Sequence, residues 1–412
     1  MQINTATTPV SLDGSSTSAA QWLSVIAVAV SAFAFVTAEF LPVGLLPQIA
    51  HDLGVSTGVA GLMITTPGVM AAIFAPTLIV SAGQMDRRYV FLLLTAVLLI
   101  ANVVCAIAPG LAVMLVGRAL LGAALGGFWT LATAAAPRLV QAKDAAKATA
   151  TILTGVTFAT VIGVPLGTFI ASFASWRMAF AATAGLVSLA LLAQVFLVPS
   201  LPSASALRVA DFRALLARPH TRLSMVMVAL VFGAHFSTYT YIAPLLEHDF
   251  SLSAITLLLF GFGLIGFFSN ALTSMVVSDH LKKSVAAMIL LLLGAMSSML
   301  LLEHSPIGET AGMLLWGVAF GALPLCFSVW IQRGTTDLPE AGSAMFVSVI
   351  QVAIAVGSAV GGTIVDRAGV HADFTLGLGL ALLGLAALQR LAVSERTTRV
   401  SSLECACDAS PD

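Results

Sequence analysis

Residues 47–56 read PQIAHDLGVS, and residues 244–253 read PLLEHDFSLS. At an offset of 197 residues Pro47 falls on Pro244, His51 on His248, Asp52 on Asp249, Leu53 on Phe250, Val55 on Leu252 and Ser56 on Ser253. Each copy follows a long apolar run, so the pair reads as one exit loop written twice, the mark of an internal repeat.

The apolar runs define what is repeated. Of 412 residues, 59% are hydrophobic and 9% charged, against roughly 45–50% and about 25% in soluble domains. A soluble core cannot absorb that excess. The runs are long enough to cross roughly 30 Å of hydrocarbon at about 1.5 Å per residue. Twelve spans are read at 22–46, 58–82, 89–108, 111–137, 148–173, 178–198, 222–246, 253–277, 284–302, 307–331, 341–365 and 374–393. A polar stretch bearing Pro199, Pro202 and Pro219 divides them six and six. The predicted organisation is a disordered tail (1–20), a six-helix half (21–198), a linker (199–221), a second half (222–393) and a cytoplasmic tail (394–412). Six is even, so the halves keep one orientation and are related by a pseudo-two-fold axis along the membrane normal. The predicted fold class is an all-α membrane protein of two pseudo-symmetric six-helix halves.

Charge orients these spans. Lys and Arg number 18. With the N-terminus inside, 15 of them face the cytoplasm, Arg177 and Arg367 face outside, and Arg118 lies within a span. By the positive-inside rule both termini are cytoplasmic. The net charge of −1 gives no reason to expect nucleic acid, and the expected surroundings are a bilayer holding a monomer. Cys105 and Cys326 lie in apolar spans as small hydrophobes. Cys405 and Cys407 have too few ligands nearby for a metal site. The first 20 residues lack the basic region that opens a signal peptide.

Charges inside spans are costly, about 2.5 kcal/mol or more near the bilayer centre, and usually face a cavity or a partner. Two stand out, Glu39 in span one and Arg118 in span four. Counting along the helices puts both in the outer third of the membrane at nearly one height, where they can pair if their helices adjoin. Burial disfavours a charged carboxylate and a neighbouring guanidinium favours it, so Glu39 reads as a proton carrier. The competing reading is a static ion pair. His235 in span seven lies one residue before the repeat counterpart of Glu39. Its imidazole suits proton exchange or substrate binding, or it is simply satisfied by a carbonyl. Tyr239, Tyr241, Asn102, Asn270 and Gln351 are isolated polar groups in spans, able to line a site or to bond between helices. Phe128 and Trp129 can stack on a ring or pack against a neighbour. The substrate cavity is therefore expected around His235, Tyr239, Gln351, Asn270 and Trp129.

Span five carries Gly155, Ala159, Gly163, Gly167 and Ala171 at intervals of four, and span eleven carries Ala353, Gly357 and Gly361. Such faces let helices approach closely. No G-x-x-x-x-G-K-[ST] phosphate loop, H-E-x-x-H or G-x-S-x-G occurs, so neither ATP-driven pumping nor enzymatic hydrolysis is expected, and no cofactor. A channel or a receptor is disfavoured by the lack of a re-entrant filter and of any sizeable soluble domain.

AEFLPVGLLPQIAHDLGVS in span one, GRALLGAALGGFW in span four and GVPLGTFIASFASWRMAF in span five resemble motifs of the major facilitator superfamily, specifically its twelve-span bacterial drug:proton antiporters. EFLPV, DRRYVFLL, GGFW and TYIAP together are most similar to the purine ribonucleoside efflux pumps. Sugar-efflux and chloramphenicol-resistance relatives share parts of these motifs. The resemblance implies a proton-coupled exporter of small polar organic molecules in a bacterial inner membrane. It also implies that Arg118 takes part in coupling, and that Gly163, Pro165 and Gly167 pack span five against leak. The superfamily's loop between spans two and three reads G-x-x-x-D-R-x-G-R-R. Here Gly83 stands for its Asp and Asp86 for its Gly, so Asp86, Arg87 and Arg88 are what remains for a gating salt bridge. Val164 stands where the antiporter pattern has Gly.

Overall fold

The computed structural model describes residues 17–82, 85–202, 209–302 and 305–408. Among them are helices and no strand. Eleven helices are long and apolar enough to cross a membrane. One of these, Leu252–Leu301, has 50 residues and bends at His280, whose backbone leaves the helical region (φ −124°, ψ 35°). At 1.5 Å per residue it is roughly 75 Å long, more than two bilayer cores. It is therefore two legs, spans eight and nine, and the twelve crossings read from hydrophobicity are all present. The fold class is as the sequence predicts.

Several boundaries differ. Residues 1–16, Gly83 and 203–208 lie outside the described residues, as do the side chains of Cys405 and Cys407. Ser18 starts span one with a capping box, its hydroxyl accepting the Gln21 N–H while the Gln21 side chain takes the Ser18 N–H, which satisfies two orphan donors at once. The linker is partly helical, with Val209–Ala217 running up to Pro219, the first residue of span seven. The last helix continues through the supposed tail to Asp408, because nothing after Leu391 is Gly or Pro until residue 411.

The repeated loop is the same in kind but not in length. In the first copy Gly54 takes the left-handed conformation (φ 64°) that ends the helix, and Ser56 caps the next one by accepting from Val59 N–H. The second copy has Phe250 and Ser251 in this region and no glycine. Its next helix starts at once, and the cap is Ser251, accepting from Ala254 N–H, rather than Ser253. We call the side carrying these loops the HD face and the opposite side the basic face.

Packing repeats too. On span five, a Cβ added to Gly155 would lie 2.2 Å from Ala29 O, one on Gly163 2.7 Å from Thr37 Oγ1, and one on Gly167 2.2 Å from Leu41 Cδ1. Span eleven sits on span seven in the same way, with Gly357 against Gly233 and Gly361 against Ser237. Just before Pro165, span five widens into a π-helical turn, Ala159–Gly163, as expected where proline removes a ladder donor. That turn presents the backbone of Thr160 and Val161 to Gly263 on span eight. Close contact between the halves therefore follows spans two and eleven, and spans five and eight.

The glycines are not equivalent. Gly155 abuts a fixed backbone carbonyl, whereas Gly167 abuts the end of a leucine. Gly155→Ala is expected to destabilise by about 1–3 kcal/mol through overpacking and Gly167→Ala by clearly less, read as melting temperatures of the purified protein in detergent.

Candidate functional site

Glu39 lies where span one stops being an α-helix. Pro42 has no N–H, so the Ala38 carbonyl loses its α-helical donor. The chain tightens into a 3₁₀ stretch, Leu41–Leu45, in which Val43 turns its N–H to the carbonyl three residues back and the Glu39 carbonyl is left over as well. Span two carries the same defect, since Pro67 lies within the helix Leu62–Ala82 and deprives the Met63 carbonyl. The Arg118 guanidinium serves all three. Nη1 donates to Ala38 O at 2.6 Å, Nη2 to Glu39 O at 2.5 Å and Nε to Met63 O at 2.7 Å. Arg118 is fully buried. It caps two proline-broken helices at once, which suits a rigid fork of donors and not the point charge of a lysine.

The ion pair that equal heights suggest is thus replaced by a main-chain bond. Guanidinium and carboxyl groups are neighbours, but the deprived carbonyls take the donors. Ion pairs form elsewhere, between Arg177 and Asp52 and between Arg218 and Asp337. The Glu39 carboxyl instead points across to the second half, where its Oε1 accepts from Gln351 Nε2 at 3.4 Å. Both side chains are buried, and Gln351 Oε1 has no partner.

His235 faces a different group. Its Nδ1 accepts from Trp316 Nε1 at 3.0 Å, so the ring carries its proton on Nε2. It stacks on Phe320, with ring centroids 3.3 Å apart, and on Tyr239 at 4.8 Å. The histidine is satisfied by an indole, neither by a carbonyl nor by Glu39. Phe236, next to it, stacks on Phe40 at 5.5 Å, so this aromatic cluster abuts the Glu39 site. The structure therefore brings together Glu39, Arg118 and Gln351, with His235 and Tyr239 one layer behind. Trp129 lies edge-on to Phe128 in the first half at 5.6 Å. Asn270 is half-buried on span eight, outside the hydrogen-bonded group around Glu39.

On the basic face Asp86 caps span three, accepting from Arg88 N–H at 2.9 Å, from Leu201 N–H at 2.8 Å and from the Ser200 hydroxyl. These bonds, Ser200 first, hold its carboxyl below the usual range. Arg88 donates to Val195 O at 2.7 Å, and the Arg87 backbone donates to Leu201 O at 2.9 Å. The loop between spans two and three is tied to the end of its own half.

Polar groups close the HD face, most of which, Asp366 first, the sequence did not single out. Asp366, near the end of span eleven, accepts from Ser56 Oγ at 2.5 Å and from Gly58 N–H at 2.8 Å, capping the start of span two from the other half. Tyr241 Oη donates to Ser358 O at 2.7 Å. Thr65 and Ser358 share a hydrogen bond of 2.8 Å, as do Thr168 and Thr256 at 2.9 Å. Gly58 packs on Gly362 so tightly that a Cβ on it would lie 2.1 Å from the Gly362 carbonyl. Apart from the Tyr241–Ser358 bond, which lies within the second half, these contacts join the two halves, beginning at the HD face and reaching inward to Glu39 and Gln351.

The sequence matches the profile of the Major Facilitator Superfamily over residues 28–350. The chain belongs to the Major Facilitator Superfamily. It is 35% identical over 367 residues to a purine ribonucleoside efflux pump, NepI, of Salmonella paratyphi B, covering 88% of this chain and 92% of the pump. It is 34% identical over 368 residues, with the same coverage, to a Pseudomonas aeruginosa protein named transcription regulatory protein OpdE. Among solved structures it is similar to the nucleoside transporter NupG (TM-score 0.73, 15% identity, covering 90% of this chain and 99% of that one). It is also similar to the human organic anion transporter MFSD10 (TM-score 0.65, 20% identity, 89% and 99%). This superfamily member is a multi-pass membrane transporter.

Three outcomes follow from the geometry. Arg118→Lys should lower stability by about 3 kcal/mol or more, since charged hydrogen bonds contribute roughly 1.5–3 kcal/mol each. Glu39→Gln should leave it unchanged, because only the main chain of Glu39 is in the cap; thermal melts of the two variants check both. Asp366→Asn should loosen the HD face, seen as a several-fold faster reaction of Thr65→Cys with a maleimide.

Proposed function

We propose that this transporter is a proton-driven exporter of small polar organic molecules, purine ribonucleosides foremost, working by alternating access. The basic face is cytoplasmic and both termini lie there, in the inner membrane of a bacterium. The halves 21–198 and 222–393 rock about the Glu39–Gln351 level, and the conformation described has its outward HD face shut. The observation that carries this reading is a carboxyl buried at the junction of the halves whose hydrogen-bond partner, Gln351, belongs to the opposite half. Movement between the halves changes that carboxyl's surroundings, so its proton affinity changes with the direction in which the site opens.

The contacts support the following roles. Glu39 carries the proton. Arg118 fixes the broken helix that holds Glu39 and places a positive charge beside it. Gln351 contacts substrate when the carboxyl is engaged with its proton. Phe40, Phe236 and Phe320 offer ring faces at the same level, which fit a planar base. Asp86, Arg87 and Arg88 gate the basic face. One entering proton supplies about 2.3 kcal/mol per 100 mV of membrane potential, enough to concentrate a neutral solute several tens of fold.

The NepI relative, by its name, supports the nucleoside cargo. A relative of nearly the same identity, 34% against 35%, that bears an unrelated name makes a cargo panel necessary. In inverted membrane vesicles with an imposed pH gradient, labelled inosine is expected to accumulate, and Glu39→Gln is expected to reduce that accumulation at least tenfold while exchange without a gradient persists. Undiminished accumulation in the variant removes Glu39 from the coupling. Coupled transport of a sugar or of chloramphenicol, with none of inosine, reassigns the cargo.

A further inference from the structure

Asp373 is the fourth residue of the last helix, Val370–Asp408, and has no exposed surface. Neither of its carboxyl oxygens has a hydrogen-bond partner. The hydroxyl beside it, Ser237 on span seven, gives its hydrogen bond to Ala234 O at 3.1 Å. Gly361 on span eleven closes over it, since a Cβ there would lie 2.9 Å from Oδ1. The titratable groups around it are Tyr241 on span seven, which feels both Asp373 and Asp366, Asp366 on span eleven, and His371 on its own helix. Glu309 opens span ten, the helix whose Trp316 lies edge-on to Phe374 at 5.8 Å. Span nine has no charge between Ser284 and Leu302. A carboxylate ionised in such a place, fully buried and with neither oxygen hydrogen-bonded, is several kcal/mol worse off than in solvent, and a proton removes that cost.

The cover over Asp373 is also the closure of the HD face. Within two turns of span eleven, Gly361 packs on Asp373, Gly362 on Gly58, and Asp366 caps the start of span two. Span eleven cannot leave span two without disturbing the lid on this carboxyl.

We propose that Asp373 is a second proton-binding site, in the second half, that takes a proton from the outer water as the HD face closes. The O–H bond forms on one Oδ during closure and breaks on opening, returning the proton to the same water. The site thus gates the outward door, whereas Glu39 carries the transported proton. The direction of this coupling rests on the alternating-access reading above; the site itself does not depend on what is transported.

The test is infrared titration of the full chain in liposomes without substrate, following the C=O stretch of protonated buried carboxyls. A band present at neutral pH is expected to vanish in Asp373→Asn and to persist in Glu39→Gln. Asn matches a neutral carboxyl in shape, so the variant should assemble. Asp366→Asn, which loosens the lid and leaves Asp373 intact, is expected to move the band's titration by about tenfold in proton concentration, one pH unit, toward acid. That second variant decides the matter even if Asp373→Asn does not fold. A spectrum unchanged by Asp373→Asn, or a titration unmoved by Asp366→Asn, overturns the proposal. A band that sodium abolishes overturns it in favour of a metal cation. Failure of the Glu39→Gln transport test would leave this band in place, so the two readings fail separately.

Discussion

Everything near the centre of this transporter depends on one buried guanidinium bonded to three main-chain carbonyls. Proline in a membrane helix leaves a carbonyl without a donor in a medium that offers no water. Spans one and two each contain such a proline at about the same level, and Arg118 on span four satisfies both breaks. A buried positive charge becomes tolerable because the freed carbonyls surround it with the negative ends of dipoles. The break is useful in turn, since it lets the chain between Phe40 and Leu46 change helical pitch and hold the Glu39 carboxyl toward the other half.

From that point the architecture follows in layers. Small residues hold span five on span one and span eleven on span seven, and these two tight pairs make each half a stiff body. The halves then touch along spans two and eleven and spans five and eight through hydroxyls, glycine backbone and the Asp366 cap. These short-ranged polar contacts lie beside apolar ones, such as Phe40 stacked on Phe236.

Much of this was legible in the sequence. Span count, the paired loops and the small-residue faces are written in long-period patterns that no local detail overrides, and the depth of Glu39 and Arg118 follows from counting. What the sequence concealed were the partners. Arg118 pairs with carbonyls because of Pro42 and Pro67, and the signal available was two prolines at matching depth beside an in-span arginine. His235 is satisfied by Trp316, 81 residues away, which no spacing rule reaches. Asp373 and Asp366 sit at helix ends, where an aspartate reads as an ordinary cap or loop residue, so the burial of the one and the cap that the exposed other makes across the halves were invisible. Loop lengths failed where one copy has Gly54 and the other has no glycine to turn on.

The central claim, that Arg118 is retained to satisfy carbonyls freed by proline, is tested most directly by a double-mutant cycle between Arg118→Met and Pro67→Ala. Alanine restores the N–H that the Met63 carbonyl lacks. The account predicts that Arg118→Met costs less thermal stability in the Pro67→Ala background than in the native chain, a coupling of about 1 kcal/mol or more. Strictly additive effects would contradict it.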